Sequence, residues 1–201
     1  MNPNTFNTVP RVSAILISWN RLDYLQKTIQ SLQDQQYPAL ELIVIDNGST
    51  DGSLQWLRSR NDIRRIENPH NVGASAARNQ GTQIASGKYV LYMDSDAEIV
   101  TPGGLSKLVQ TMEENQQLAG AAGLIYSDND LQNLWCCSPS MDWEGNHDPA
   151  ASLQITENPA ILSTCFSLFR KKCLFEVGGF DRYLFYLYED GDLCERLYKR
   201  G

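Results

Sequence analysis

Four short apolar runs alternate with segments of helical spacing, and this alternation limits the possible folds more than any other feature. Val12 to Ile17, Leu42 to Ile45, Ile63 to Ile66 and Tyr89 to Met93 read as buried strands. Arg64-Arg65 interrupts the third. Between the first two, Leu22, Leu25, Ile29 and Leu32 recur at helical period. Asn20 is the candidate N-cap, and Tyr37-Pro38 is the stop. Asn47 to Gly52 reads as a turn, followed by a short helix carrying Leu54 and Leu57. Asn71 reads as the cap of a small-residue helix from Ala74 to Ala85. This order predicts an α/β fold: a mostly parallel, Rossmann-like sheet with right-handed crossovers and flanking helices.

After Asp96 the rhythm changes. Leu105 to Met112 predicts a helix, Ala119 to Ile125 a strand, Ile161 to Phe169 another strand and Lys171 to Val177 a short helix ended by Gly178-Gly179. Asp190 to Arg200 predicts a last helix with Gly201 as its cap, and the chain reads as cut short at its C-terminal end. Residues 127–160 have little periodicity and read as long functional loops carrying Trp135, Trp143 and Leu153. The expected organisation is a loose tail over 1–10, a nucleotide-binding half over 11–100 and an acceptor-binding, catalytic half over 101–201.

A net charge of −7 without a Lys/Arg run argues against nucleic acid as a partner. Arg170-Lys171-Lys172, the densest basic cluster, reads as the solvated start of a helix. No apolar stretch reaches transmembrane length and no signal peptide is visible. Five cysteines without a C-x-x-C pair fit a reducing, cytoplasmic setting, with Cys165, Cys173 and Cys194 as small buried hydrophobes.

An early parallel sheet invites a nucleotide ligand. Yet the chain has no G-x-G-x-x-G after its first strand, no G-x-x-x-x-G-K-[ST] and no G-x-S-x-G. The strand ends instead carry acids and amides: Ser18-Trp19-Asn20, Asp46-Asn47 and Asp94-Ser95-Asp96. Two carboxylates one residue apart repel each other, and a divalent cation relieves that cost. The pattern suits a nucleoside diphosphate whose charge is balanced by a metal rather than by a glycine cradle. The base could meet Asp46 and stack on Trp19, and the ribose could reach Asp94 or Ser95.

At this point the chain resembles the family 2 glycosyltransferases of GT-A fold. The resemblance rests on Val12 to Arg21, Leu42 to Gly52, Asn71 to Asn79, Met93 to Asp96, Gly178 to Asp181 and Tyr188 to Arg196, and runs from Arg11 onward. It implies one merged fold of nucleotide-binding and acceptor-binding halves. It implies Ser18, Trp19, Asp46, Arg78, Asp94 and Ser95 as donor-binding residues. Asp96, with Asp94, is implied to hold Mn2+ or Mg2+. Asp190 is implied to be the catalytic base, with Asp181 and Glu189 on the acceptor side. Glu189 and Asp192 stand close enough in sequence to keep the identity of the base open.

The chemistry agrees with these roles. A sugar hydroxyl attacking an anomeric carbon needs a carboxylate to take its proton, and a cation to balance the departing diphosphate. One carboxylate acting in direct displacement inverts the anomeric centre. The expected reaction is therefore inverting, metal-dependent transfer from a UDP- or dTDP-sugar to a sugar, lipid-linked glycan or protein hydroxyl. The expected setting is glycan or polysaccharide synthesis at the cytoplasmic side. The other reading is a non-catalytic nucleotide-sugar or glycan-binding module of the same fold.

Overall fold

A computed structural model describes residues 9–127, 131–136, 140–141, 147–148 and 161–200, the last residue of the chain and the remaining gaps lying outside it. Four predicted strands form: β1 (Val12–Ser18), β2 (Leu40–Asp46), β3 (Ile63–Glu67) and β4 (Tyr89–Asp94). They are parallel in the order β3-β2-β1-β4. The helices between them are α1 (Leu22–Asp34), α2 (Ser53–Arg58) and α3 (Ala74–Ile84). The charged run Arg64-Arg65 is tolerated because β3 is an edge strand, with Ile63 buried and both arginines exposed.

The second half differs from its expected outline. The predicted strand over Ala119 to Ile125 divides into β5 (Gly120–Ala122) and β6 (Ile125–Tyr126), which join different sheets. β6 pairs with β7 (Leu134–Cys136), and β8 (Ser140–Met141) pairs with β9 (His147–Asp148). The predicted strand over Ile161 to Phe169 shortens to β10 (Phe166–Arg170). β10 runs antiparallel between β4 and β5 and so completes a six-stranded sheet. Helix α4 (Gly104–Glu114) precedes β5, and α5 (Lys171–Glu176) and α6 (Glu189–Arg200) follow β10. The side chains of Trp135 and Trp143, and Leu153, lie outside the described residues.

Alternation along the strands builds two cores. Val12, Ala14 and Leu16 join Leu42 and Val44 beneath Leu25, Ile29 and Leu32 of α1 and Leu105, Val109 and Met112 of α4. Ile15, Ile43 and Ile45 face the other way, toward Ala77 of α3 and Leu193 and Leu197 of α6. The small-residue character of α3 has a direct cause. A Cβ on Gly81 would come within 2.6 Å of Ile15 and 2.9 Å of Ile45, so glycine lets the helix lie close to the sheet.

Two predicted caps are corrected. Asn20 does not cap α1; it sits at φ 55° and its side-chain oxygen accepts the Thr50 amide at 2.7 Å. Asp51 takes the capping role from 29 positions away, accepting the Leu22 amide at 3.0 Å on one oxygen and the Ser53 amide at 3.0 Å on the other. One carboxylate thus starts both α1 and α2. Likewise Gly73, at φ 88°, stands in the cap position of α3, while Asn71 accepts the Gly73 amide at 2.9 Å. Arg170 is a further correction. It is buried, not solvated, and donates to the carbonyls of Leu118, Met112 and Asn115 and to the Tyr89 hydroxyl, tying β10 to the end of α4.

At the far end of the sheet, Glu41 collects the hydroxyls of Ser13 and Ser86, the Ser86 amide and the Arg64 guanidinium. Burial alone would push its carboxyl up, but these hydrogen bonds outweigh it and hold the pKa at about 2. A depressed folded pKa means that this stability is present above the ordinary glutamate range and is lost as pH falls from about 4.5 toward 2. Glu41→Gln is expected to remove on the order of 3 kcal/mol at neutral pH. The gap to wild type should close between pH 5 and pH 2 in urea titrations. A pH-independent gap would contradict this assignment.

Candidate active site

The chain steps outward from β1 through β2 to β3, then returns to the other side of β1 as β4. A crevice at such a reversal, outside the C-terminal ends of the strands, is where open α/β sheets bind ligands. Register brings the sequence candidates to this edge: Ser18 pairs with Asp46, and Ile17 pairs with Asp94.

Asp46 is fully buried, and one of its oxygens accepts the Ser49 amide at 3.0 Å, so it closes the turn after β2. Among the described residues its other oxygen has no partner, nor does the neighbouring buried Ser18 hydroxyl. Unsatisfied buried polar atoms are expensive, and a pair of them at a ligand edge marks a place where a polar ligand or a local opening would bring gain. Trp19 follows directly and is half exposed. Asn47, the amide of the Asp46-Asn47 strand end, holds the next layer. Its side-chain oxygen accepts from Asn68 at 3.0 Å and the Val72 amide at 3.2 Å, and its amide donates to Asn71 at 2.8 Å. This network sets the entry into α3.

Asp94-Ser95-Asp96 forms a tight turn at the end of β4, closed by the Ala97 amide on the Asp94 carbonyl at 3.2 Å. Ser95 is buried, while Asp96 is open and pairs with Arg21 at 2.5 Å. Arg78, buried on α3, reaches two carboxylates: Glu189 at 2.5 Å through Nη1 and Asp94 at 3.3 Å through Nη2. Burial pushes the Asp94 carboxyl above the usual aspartate range. Arg78 pulls it down, and the charges of Asp96 and Glu189 add to the rise. The Asp94 side chain keeps part of its surface open to solvent while protein surrounds the rest, so the crowding is one-sided.

The opposite wall comes from α6. Its first turn carries Glu189, Asp190 and Asp192. Glu189 is committed to Arg78, and Asp192 to Arg196 at 2.5 and 3.0 Å. Among the described residues no cationic side chain bonds Asp190, whose carboxylate accepts the Gly191 amide at 2.9 Å and lies near the Thr164 amide. Burial pushes Asp190 up and the charge of Glu189 adds to it, against the pull of those amides and Arg78. Thr164 and Cys165 then join the two walls. The Thr164 amide lies near the Asp190 carboxylate, and the Cys165 carbonyl accepts the Asp94 amide at 3.2 Å. Adjacent backbone units therefore lie against Asp190 and Asp94.

Asp181 is exposed, and one of its oxygens accepts the Tyr183 amide at 2.9 Å, which makes it a turn residue in this structure. Gly178 and Gly179 both have positive φ. A Cβ on Gly179 would lie 2.6 Å from the Asn79 side-chain oxygen. Asn79 in turn grips Phe180 twice, donating to its carbonyl at 2.7 Å and accepting its amide at 2.9 Å. Asn79 was visible in the motif Asn71 to Asn79, but its contact lies 101 residues away and leaves no local signal.

The model of the glycosyl transferase family 2 matches residues 13–178. The chain belongs to this family. A GalNAc(5)-diNAcBac-PP-undecaprenol beta-1,3-glucosyltransferase of Campylobacter jejuni is 33% identical over 128 residues, covering 61% of this chain and 41% of that enzyme. The chain thus spans about two fifths of the length of that curated relative. A mannosyltransferase of Pyrobaculum calidifontis, solved in complex with GDP-Man and Mn2+, superposes with a TM-score of 0.75 at 20% identity, over 97% of this chain and 54% of that one. GalNAc-T7, solved with UDP, GalNAc and Mn2+, gives 0.76 at 18% identity, over 97% and 42%. These likenesses confirm the GT-A fold with its mostly parallel sheet.

Asn47→Ala removes three hydrogen bonds and leaves partners of Asn47 unpaired beside the crevice. It is expected to cost on the order of 2–4 kcal/mol in chemical denaturation. A loss below about 0.5 kcal/mol would mean that water replaces the network.

Proposed function

We propose that this family 2 chain is the donor-binding and catalytic part of an inverting, metal-dependent glycosyltransferase. It moves a sugar from a nucleoside-diphosphate donor to a hydroxyl acceptor in glycan or polysaccharide synthesis. The observation that carries this reading is the meeting of Asp190 and Asp94 on the adjacent backbone units Thr164 and Cys165. A carboxylate with raised proton affinity, free of any cationic side chain among the described residues, there stands beside an acid-rich strand end.

Asp94 and Asp96 offer hard oxygen donors with too few ligands to enclose a cation alone. That suits Mn2+ or Mg2+ shared with substrate phosphate oxygens and water. The excess of acids over the two arginines, Arg21 and Arg78, fits a bound cation. When bound, the cation balances the charge of the departing diphosphate. Ser95 and Asp94 would meet the ribose and diphosphate, and Trp19 would offer a face to the base beside Ser18 and Asp46. Asp46, with one acceptor oxygen unpartnered among the described residues, fits the single ring N–H of the pyrimidine in a UDP- or dTDP-sugar.

In the transfer, Asp190 takes the proton of the acceptor hydroxyl as that oxygen forms its bond to the anomeric carbon. The bond from that carbon to the diphosphate breaks, and its electron pair leaves on the phosphate oxygen. Attack opposite the leaving group inverts the anomeric centre. The acceptor class is a sugar, a lipid-linked glycan or a protein hydroxyl. The reaction belongs on the cytoplasmic side, where nucleotide-sugars are made, and no helix among the described residues is long and apolar enough to cross a membrane.

Asp190→Asn in the full-length protein is expected to cut turnover of a nucleotide-sugar by about 10²–10⁴-fold. Nucleoside diphosphate binding, read by calorimetry with Mn2+, should stay within about twofold, since the change leaves the donor side intact. Because Asp190 is raised and must be deprotonated to act, the acid limb of the rate profile should lie above the ordinary aspartate value of about 3.9. Retained turnover would contradict the assignment of Asp190, and binding without turnover in wild type would favour a non-catalytic module. Chelation of divalent cations is expected to abolish both turnover and tight nucleotide binding, and metal-independent turnover would remove Asp96 from its role.

A further inference from the structure

The first turn of α6 carries three carboxylates, and the structure gives each a different partner. Asp192 is held by Arg196 one turn along the same helix. Glu189 is buried and held by Arg78 from α3. Asp190 meets only backbone amides among the described residues. Arg78 is itself over-determined. Its Cζ lies 5.5 Å from the centre of the Phe180 ring, and Phe180 is clamped at both its amide and its carbonyl by Asn79, the residue after Arg78. One turn earlier on α3, the Ser75 hydroxyl donates to the Leu184 carbonyl at 2.5 Å and the Ala74 amide to the Phe185 carbonyl at 2.9 Å. The segment leading into α6 is therefore moored along α3 at three points. The last two residues before α6, Leu187 and Tyr188, adopt φ of 67° and 65°. A backbone strained in this way persists only where its surroundings hold it.

We infer that Glu189 is a positioning residue: its buried ion pair with Arg78 sets Asp190 against the donor half, and Arg78 links that placement to Asp94. This rests on the transferase reading above. The two legs of Arg78 differ, at 2.5 Å to Glu189 and 3.3 Å to Asp94. The looser nitrogen can turn toward a diphosphate oxygen without releasing Glu189. The planar guanidinium suits this, because its fork holds one nitrogen on Glu189 while the second faces another oxygen, and a single ammonium nitrogen has no such division. Glu189 and Arg78 then act as one unit, and breaking either end leaves an uncompensated buried charge.

The test is a kinetic cycle on the full-length protein with Glu189→Gln, Arg78→Lys and the double variant. Turnover is measured on a panel of UDP-, dTDP- and GDP-sugars, and Kd for the matching diphosphate by calorimetry with Mn2+. Glu189→Gln should lower kcat by about 10- to 100-fold while Kd moves by less than about threefold, a split that general loss of structure would not produce. Arg78→Lys should lower kcat and also weaken diphosphate binding by about fivefold or more. In the double variant kcat should fall no further than in the worse single variant, within about threefold, as expected for residues acting as one unit.

Wild-type kcat in Glu189→Gln, or losses that multiply in the double variant, would overturn the inference. So would full activity in Asp190→Asn with none in Glu189→Gln, which would make Glu189 the base. If Glu189→Gln shows no cooperative melt, Glu189→Asp decides. It keeps the charge but shortens the reach, so a native melt with lowered kcat supports the pairing and wild-type kcat refutes it. A wild-type protein that neither binds nor turns over any member of the panel would instead defeat the transferase reading itself.

Discussion

Parallel strands share a direction, and that constraint governs the rest of this molecule. Because β1, β2 and β4 all end at one edge, whatever follows each strand is delivered to the same place. Here the residues delivered are Ser18-Trp19, Asp46 and Asp94-Ser95-Asp96. The reversal of strand order between β1 and β4 opens the crevice between them. Concentrating acids this way is unfavourable by itself, and the fold answers it with two arginines. Arg21 is exposed and pairs with Asp96, where solvent screens the contact; Arg78 is buried and bridges the donor-side acid to α6.

The antiparallel strand β10 is the second device. A strand entering from the opposite direction begins at the edge where β4 ends. Its leading segment therefore runs past the crevice, and Thr164 and Cys165 contact Asp190 and Asp94 there. That reversal is what brings the segment before β10 between the turn after β4 and the head of α6. Arg170, at the other end of β10, fastens the strand to α4 through three carbonyls. The mixed sheet thus packs the segments before and after Asp96 into one body.

The first half of the fold was legible because its signals are local. Apolar runs and helical spacing placed β1 to β4 and α1 to α3 within a few residues. What escaped depends on distance along the chain. Asn20 looked like a cap, but the carboxylate that starts α1 is Asp51, reached only through the fold. Arg170 looked like a solvated cation beside two lysines, yet its partners sit more than fifty residues back and bury it. The broken strand near Ala119 could not be seen, since a short run of small residues reads the same whether it pairs once or twice. The site shows the same division. Asp94-Ser95-Asp96 and the acids of α6 stood out by spacing, but their individual roles did not. Only the structure separates Glu189, bound to Arg78, from Asp192, bound to Arg196, and leaves Asp190 free of a cationic side chain among the described residues.

The strand-end acids and the head of α6 are proposed to form one site, with the donor held by the acids and the base facing it from α6. A crystal structure of the full-length protein with UDP and Mn2+ tests it most directly. The cation is expected on Asp96 with diphosphate oxygens beside it, Arg21 released, and the base lying against Trp19 at the ends of β1 and β2. A nucleotide bound elsewhere, or a diphosphate seated while Asp96 still pairs with Arg21 and touches no cation, would contradict the claim.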